Sequence, residues 1–304
     1  MSAQPNASLL AVLVATGATW GLTQPLAKIV VSEGYRDFGI IFWQFVIGAL
    51  LLGLYQIVRR RPLPLRPDAL RFYLLIALIG TILPNWGSFT AAVHLPAGVL
   101  SIVIALVPML TFPIALALGM DRFSALRLLG LVLGLAAIVL IAAPEASLPD
   151  PAMALWLPVA IIAPTFYAIE ANVVAKWGTA GLGPVQVLLG ASILGAILTA
   201  PIAVATDTFI DPFHPWGAAD WALVGMAVAH ATAYAVYVWL VGQAGAVFTA
   251  QVGYVVTGFG VLWAKLILGE SYSGWVWSAL VVMMVGLFLV SPRRGEVAPA
   301  PTPL

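Results

Sequence analysis

Cysteine is absent from this 304-residue chain. Its absence excludes disulfides, thiolate metal sites and cysteine nucleophiles, and leaves the redox compartment unmarked. Charge is nearly as scarce. Asp, Glu, Lys and Arg make up 8% of the residues, against about a quarter in soluble domains. With 62% hydrophobic residues and a mean hydropathy of +1.05, the chain belongs in a bilayer. No Gly-x4-Gly-Lys-Ser/Thr run occurs, so P-loop nucleotide hydrolysis is not expected. His and carboxylates do not cluster at metal-ligand spacing, so neither a metal nor another cofactor is expected. The net charge of +1 by itself says nothing about partners, and no nucleic-acid partner is expected. Met1 to Ser8 holds no base ahead of the apolar run, so the first helix reads as permanent rather than as a cleaved signal.

A helix crosses the hydrocarbon in about 20 apolar residues. Ten such runs are present, at 9–31, 38–58, 70–93, 97–119, 124–143, 154–176, 184–206, 218–241, 245–268 and 273–291. Lys and Arg collect in cytoplasmic loops. With the N-terminus inside, Arg59, Arg60, Arg61, Arg66, Arg71, Arg122, Arg127, Lys176, Arg293 and Arg294 fall on the inner face. Arg36 is outside, with Glu145, Asp150, Asp207 and Asp211, and Lys28 and Lys265 sit near outer helix ends. The expectation is a multi-pass protein of the cell (inner) membrane with both termini cytoplasmic. The Pro- and Ala-rich tail, 295–304, is expected to be disordered.

Two decapeptides repeat: Gln44-Phe-Val-Ile-Gly-Ala-Leu-Leu-Leu-Gly53 and Gln186-Val-Leu-Leu-Gly-Ala-Ser-Ile-Leu-Gly195. Ala97-Gly98-Val99 parallels Ala244-Gly245-Ala246, Leu118-Gly119 parallels Leu268-Gly269, and Gly134 parallels Gly286. The offset drifts between about 142 and about 152 residues. Five spans per half, an odd number, make the second copy enter the membrane upside down. The fold class is therefore all-α integral membrane: two inverted five-helix repeats, residues 1–146 and 147–294. Inverted repeats mark transporters.

Trp20-Gly21 with Lys28 in the first span resembles the first helix of EamA-type carriers of the drug/metabolite transporter superfamily. The small-residue start of the fourth span, Ala97-Gly98-Val99, its mid-helix Pro108, and Leu268-Gly269-Glu270 ending the ninth resemble that family too. The chain departs from the pattern at Gln44, where many members have Arg, at Gly119-Met120-Asp121, and at Tyr254-Val255, where a proline is common. The resemblance implies a central cavity among spans one to four and six to nine, with five and ten peripheral. It also implies export.

Buried polar groups are costly in lipid and are therefore candidates for function. Glu170 is the carboxylate deepest in the hydrocarbon, about 9 Å of helix from Lys176. Its expected roles are proton coupling or binding of a substrate amine, set against a structural hydrogen bond. His230, near the middle of the eighth span, is the second coupling candidate, set against plain packing. Trp20, Gln24, Gln44, Asn85, Trp86, Tyr167, Asn172, Gln186, Tyr234, Gln251 and Tyr254, with Trp43 and Tyr237, bring amides and aromatics to membrane depth. As a substrate-binding set they suit an amphipathic, roughly neutral or zwitterionic solute; singly, each can serve as a helix bridge or interface anchor. Lys28 and Lys265 are read as snorkelling to headgroups. Pro25, Pro84, Pro108, Pro113 and Pro164 are expected to kink their spans. Gly130 and Gly134 are read as fifth-span packing, with a homodimer contact as a second use.

The leading expectation is a secondary carrier that exports small amphipathic metabolites, such as amino acids, their analogues or drugs. Its partners are the solute and membrane lipids. An integral-membrane enzyme acting on lipid-linked groups, an antiporter for phosphorylated or nucleotide-linked sugars, and a channel stay open as alternatives. The first lacks clustered acids and the second lacks cavity cations.

Overall fold

The computed structural model describes residues 7–143 and 145–290; the predicted tail, 295–304, lies outside them. The described residues form helices α1 (Ala7–Ser32), α2 (Asp37–Val58), α3 (Pro67–His94), α4 (Ala97–Ala117) and α5 (Ala125–Ala142). The second half supplies α6 (Pro151–Trp177), α7 (Pro184–Ala205), α8 (Ala218–Ala244), α9 (Val252–Leu268) and α10 (Gly274–Val290). Eight are long and apolar enough to span a membrane, and α9 and α10 are shorter apolar helices. A short helical turn, Ala246–Thr249, precedes α9. Among the described residues there is no strand, as expected where lipid cannot satisfy an open backbone edge.

The main packings between the two halves map onto themselves when each helix is exchanged for the one five places away. Three pairs are their own images: α2 with α7, α4 with α9 and α5 with α10. Six more come in three matched couples. Helix α3 packs on α6 as α8 packs on α1; α1 on α9 as α6 on α4; α3 on α7 as α8 on α2.

Loop contacts then fix the inversion. On one face Arg66 hydrogen-bonds the Ala180 carbonyl and Gln186 donates to Pro62 O at 3.0 Å, joining the α2–α3 and α6–α7 connections. On the other, Tyr35 of the α1–α2 turn bonds Asp220 at the start of α8, and Ser273 bonds Ser147 O. The first connection of one half thus lies on the opposite face from the first connection of the other. The chain is a pair of inverted five-helix repeats.

Proline explains most of the breaks in these helices. Lacking an N–H, it strips the carbonyl four residues upstream of its helical donor. The segment of α1 that begins the chain ends at Gly21, four residues before Pro25. The first segment of α4 ends at Ile104, four before Pro108. In α3 the carbonyl deprived by Pro84 is that of Gly80, and the helix there widens into a π-turn over Leu78–Ile82. Pro113 and Pro164 lie inside continuous helical segments. Breaks therefore concentrate in α1, α3 and α4, and before α9.

Helices α5 and α10 form the outer pair. A methyl on Gly286 would stand 2.8 Å from Gly130 O and 3.2 Å from Gly134 N, so these backbones touch directly. Gly134 also seats the Met109 sulfur. This glycine face is filled from within the chain, as expected of fifth-span packing.

Candidate substrate site

Two polar clusters meet at mid-depth where α3 crosses α6 and α8 crosses α1. In the first, Asn85 of α3 donates from Nδ2 to Gln44 Oε1 at 2.9 Å and accepts from Tyr167 OH at 3.0 Å. One amide thus ties α2, α3 and α6 together. Glu170 lies one helical turn beyond Tyr167 on the same face of α6, and its carboxyl group rests over Gly80 in the π-turn. It accepts no hydrogen bond and forms no ion pair among the described residues. Tyr167 of its own helix and Tyr234 of α8 are its ionisable neighbours.

Tyr234 leads to the second cluster. Trp20, the residue before the α1 break, donates its indole N–H to His230 Nδ1 at 3.3 Å. That bond requires an unprotonated Nδ1. The Trp20 ring meets Tyr234 and Tyr237 edge-on, with centroids 6.4 and 5.7 Å apart. Gly21 allows this placement: a methyl there would stand 2.8 Å from Gly260 N and 2.9 Å from Val256 O, so only glycine lets α1 lie so close to α9. Trp20-Gly21 is thus one device, the glycine seating the helix and the indole projecting toward α8.

Other expected members lie elsewhere. Asn172, 2% exposed, donates to Thr111 O at 3.1 Å and Ala168 O at 2.8 Å, bridging α6 to α4. Gln186 accepts from Gly183 N and donates to Pro62 O, so it closes the first turn of α7 at a membrane edge. Gln44 lies fourteen residues before the end of α2 and Gln186 nineteen before the end of α7, so the matching decapeptides are not equivalent in depth. Trp43 donates to Ile210 O in the α7–α8 connection. Tyr254 lines an apolar groove with Leu280, Val281, Met284, Val285 and Phe288. Gln24 is half-buried, whereas Gln251 and Trp86 are exposed, Trp86 by 36%.

The two lysines near helix ends are also accounted for. Lys28 Nζ donates to Ala92 O at 2.7 Å and Leu95 O at 3.0 Å, capping α3. The exposed Lys265 lies over the Trp277 ring, 5.9 Å from its centroid. Beside Lys28, Glu270 accepts from Ala97 N at 2.7 Å and Gly98 N at 3.1 Å, closing the start of α4 from the end of α9. Tyr272 OH donates to the same carboxylate at 2.6 Å, and burial with this bond pushes its pKa up.

Residues that sequence reasoning passed over are Gly80, which carries no polar signal, and the loop cluster of Tyr35, His214 and Asp220. Tyr35 OH donates to Asp220 Oδ1 at 2.7 Å and lies 3.0 Å from His214 Nε2. Burial first, then the Asp220 hydrogen bond, push the Tyr35 pKa up to about 12.

A duplicated bundle of ten apolar helices with broken spans around mid-depth polar groups defines a membrane carrier. Comparison with known proteins agrees: the EamA-like transporter family model matches residues 7–143 and again 154–291. The chain belongs to the EamA-like transporter family, within the drug/metabolite transporter superfamily. A solved crystal structure is similar over 91% of this chain and 96% of its own, with TM-score 0.60 and 17% identity, which supports the fold alone. No curated protein matches the chain.

Proposed function

We propose that this transporter exports small amphipathic metabolites, amino acids, their analogues or drugs, across the cell (inner) membrane by alternating access. The basic face, with Arg59, Arg60, Arg61, Arg66, Arg71, Arg122, Arg127 and Lys176, is cytoplasmic, and so are both termini. Residues 1–146 and 147–294 rock against each other around the mid-depth site, with the breaks in α1 and α4 and before α9 as hinges. A proton gradient, or the solute gradient itself, supplies the energy.

The observation that carries this reading is Glu170, a carboxylate with no hydrogen bond or ion pair among the described residues, beside amides and aromatic rings, away from either membrane face. It holds the amine end of the solute or carries the coupling proton, and the Trp20, Tyr234 and Tyr237 rings receive the apolar end. Gln44, Asn85 and Tyr167 complete the polar wall, and His230 serves as a second proton acceptor. The ionisable groups facing Glu170 are Tyr167 of its own helix and Tyr234 of α8; α3 and α4 bring none to that depth.

Purified protein in liposomes, screened with labelled phenylalanine, phenethylamine and a panel of amphipathic drugs with and without a proton gradient, tests the proposal. Saturable flux with trans-stimulation is expected, and linear flux without it identifies a channel instead. Glu170→Gln is expected to remove the pH dependence while the protein stays folded. Unchanged transport with unchanged pH dependence takes Glu170 out of the mechanism. Normal activity of His230→Gln returns that residue to packing.

A further inference from the structure

Resting on the reading of Glu170 as the solute-facing acid, we infer that Gly80 is its positioning residue: the missing side chain at position 80, presented by the π-turn of α3, sets where the carboxylate sits. A Cβ built on Gly80 would stand 2.7 Å from Glu170 Oε1, 2.8 Å from Cδ and 3.1 Å from Oε2. All three atoms of the carboxyl group therefore lie over the glycine. Real Cβ atoms do not approach so closely, so any other residue at position 80 drives the carboxylate away.

Pro84 is the reason Gly80 faces α6 in this way. It deprives the Gly80 carbonyl of its usual donor, and the π-turn at Leu78–Ile82 absorbs the misfit. A π-turn carries an extra residue and so rotates the positions before it relative to those after it. Position 80 is aimed by the helix defect, and glycine leaves room there for the acid.

Gly87, seven residues on, supplies the contrast. A Cβ there would stand 2.9 Å from Ile162 Cβ and 3.0 Å from Val159 O, atoms fixed in the body of α6. Substitution at Gly87 pushes two helices apart. At Gly80 the obstacle is the tip of a flexible side chain, which can swing aside without unfolding anything. Since no hydrogen bond among the described residues holds that tip, its location depends on the shape of the floor beneath it.

The test uses the full chain with two readouts: counterflow of labelled phenylalanine and phenethylamine, and labelling of residue 170 by dicyclohexylcarbodiimide, read by mass spectrometry. Gly80→Ala is expected to fold normally, to raise KM by about tenfold or more, and to change the labelling rate. Glu170→Asp withdraws the carboxyl by one bond, about 1.5 Å, and is expected to be similarly impaired. The double variant Gly80→Ala/Glu170→Asp is expected to be no worse than Glu170→Asp alone, because the shorter acid already clears the added methyl. Pro84→Ala, which restores the donor and removes the reason for the π-turn, is expected to match Gly80→Ala. Gly87→Ala is expected to lose folded protein instead. Wild-type flux and labelling in Gly80→Ala or in Pro84→Ala, or a double variant in which the two losses add in full, overturns the inference. If Glu170→Gln transports normally, the reading of the acid as solute-facing falls, while carbodiimide labelling still reports whether Gly80 positions it.

Discussion

Replacing Glu270 by Ala is expected to loosen the membrane face on which α4 begins. The first N–H groups of a helix have no partner within it, and here Pro96 precedes α4 without a side chain that can cap it. Glu270 fills the role from another helix, with both oxygens engaged at 2.7 and 3.1 Å. Losing an N-cap costs about 0.5–2 kcal/mol and losing a negative charge at a helix start a further ~0.3–1 kcal/mol. A total near 2 kcal/mol is expected if the bonds exist only while this face is closed, which shifts the open-to-closed ratio by roughly 30-fold. Among the described residues Asp121, the acid after the corresponding helix α4, makes no such tie. Gly119 and Gly269 both end their helices with positive φ, but Asp121 pairs with Arg127 of its own half. Because the chain has no cysteine, a single Thr23→Cys at the α1 break reports access cleanly. Maleimide applied from the α4-start side is expected to react about ten- to thirtyfold faster in Glu270→Ala, and less so in Glu270→Gln, which keeps an acceptor oxygen. Unchanged labelling and unchanged thermal stability in Glu270→Ala refute the argument; lower stability with unchanged labelling reduces Glu270 to a static cap.

Two further outcomes follow from contacts outside the site. The carbonyl of Asp211 first, then Asp220 against a desolvation penalty, push the His214 pKa up. A raised folded-state pKa stabilises below the unfolded value and is lost as pH rises through the folded one. The thermal stability gap between wild type and His214→Asn is therefore expected to be widest in acid and to close on the alkaline side; a gap that ignores pH contradicts this. Gly286→Leu is expected to cost about 1–3 kcal/mol by forcing α10 off α5, with oligomeric state unchanged; a change in oligomeric state at constant stability would place this face between subunits.

The span ends could be read to within three residues, except the start of the ninth, expected at 245 and found at Val252, because an apolar run bounded by Arg, Asp, Pro or Gly has one outcome in lipid. The inversion was also visible, since an odd number of spans in each of two similar halves forces it. The repeated Gln decapeptide misled at finer scale. Small and apolar residues recur at helix interfaces for packing reasons, and Gln44 and Gln186 settled five residues apart in depth. Lys28 and Glu270 stood out as charges, but their partners are backbone groups, which leave no mark in a sequence. Gly80 could have been suspected only from Pro84, four residues on, and even then its neighbour across the bundle, ninety residues away, was out of sight. The bond between Tyr35 and Asp220 joins residues 185 apart and was hidden for the same reason.

Duplication also explains why the site is lopsided. Gly80 lies fourteen residues before the end of α3 at His94, and His230 fourteen before the end of α8 at Ala244, so the two occupy matching places in the two halves. Each faces the helix that its half's symmetry assigns: α6 for Gly80, α1 for His230. At one crossing a missing side chain admits a carboxylate; at the other an imidazole accepts from an indole. The scaffold thus offers two equivalent seats and fills them with opposite chemistry. In the proposed carrier, a solute spanning them meets an acid toward α3 and α6 and an aromatic wall toward α1 and α8, and is expected to be held in one orientation. If the halves exchange access between faces as proposed, a symmetric backbone is in this way combined with a site that is not symmetric, which separates the problem of moving from the problem of recognising.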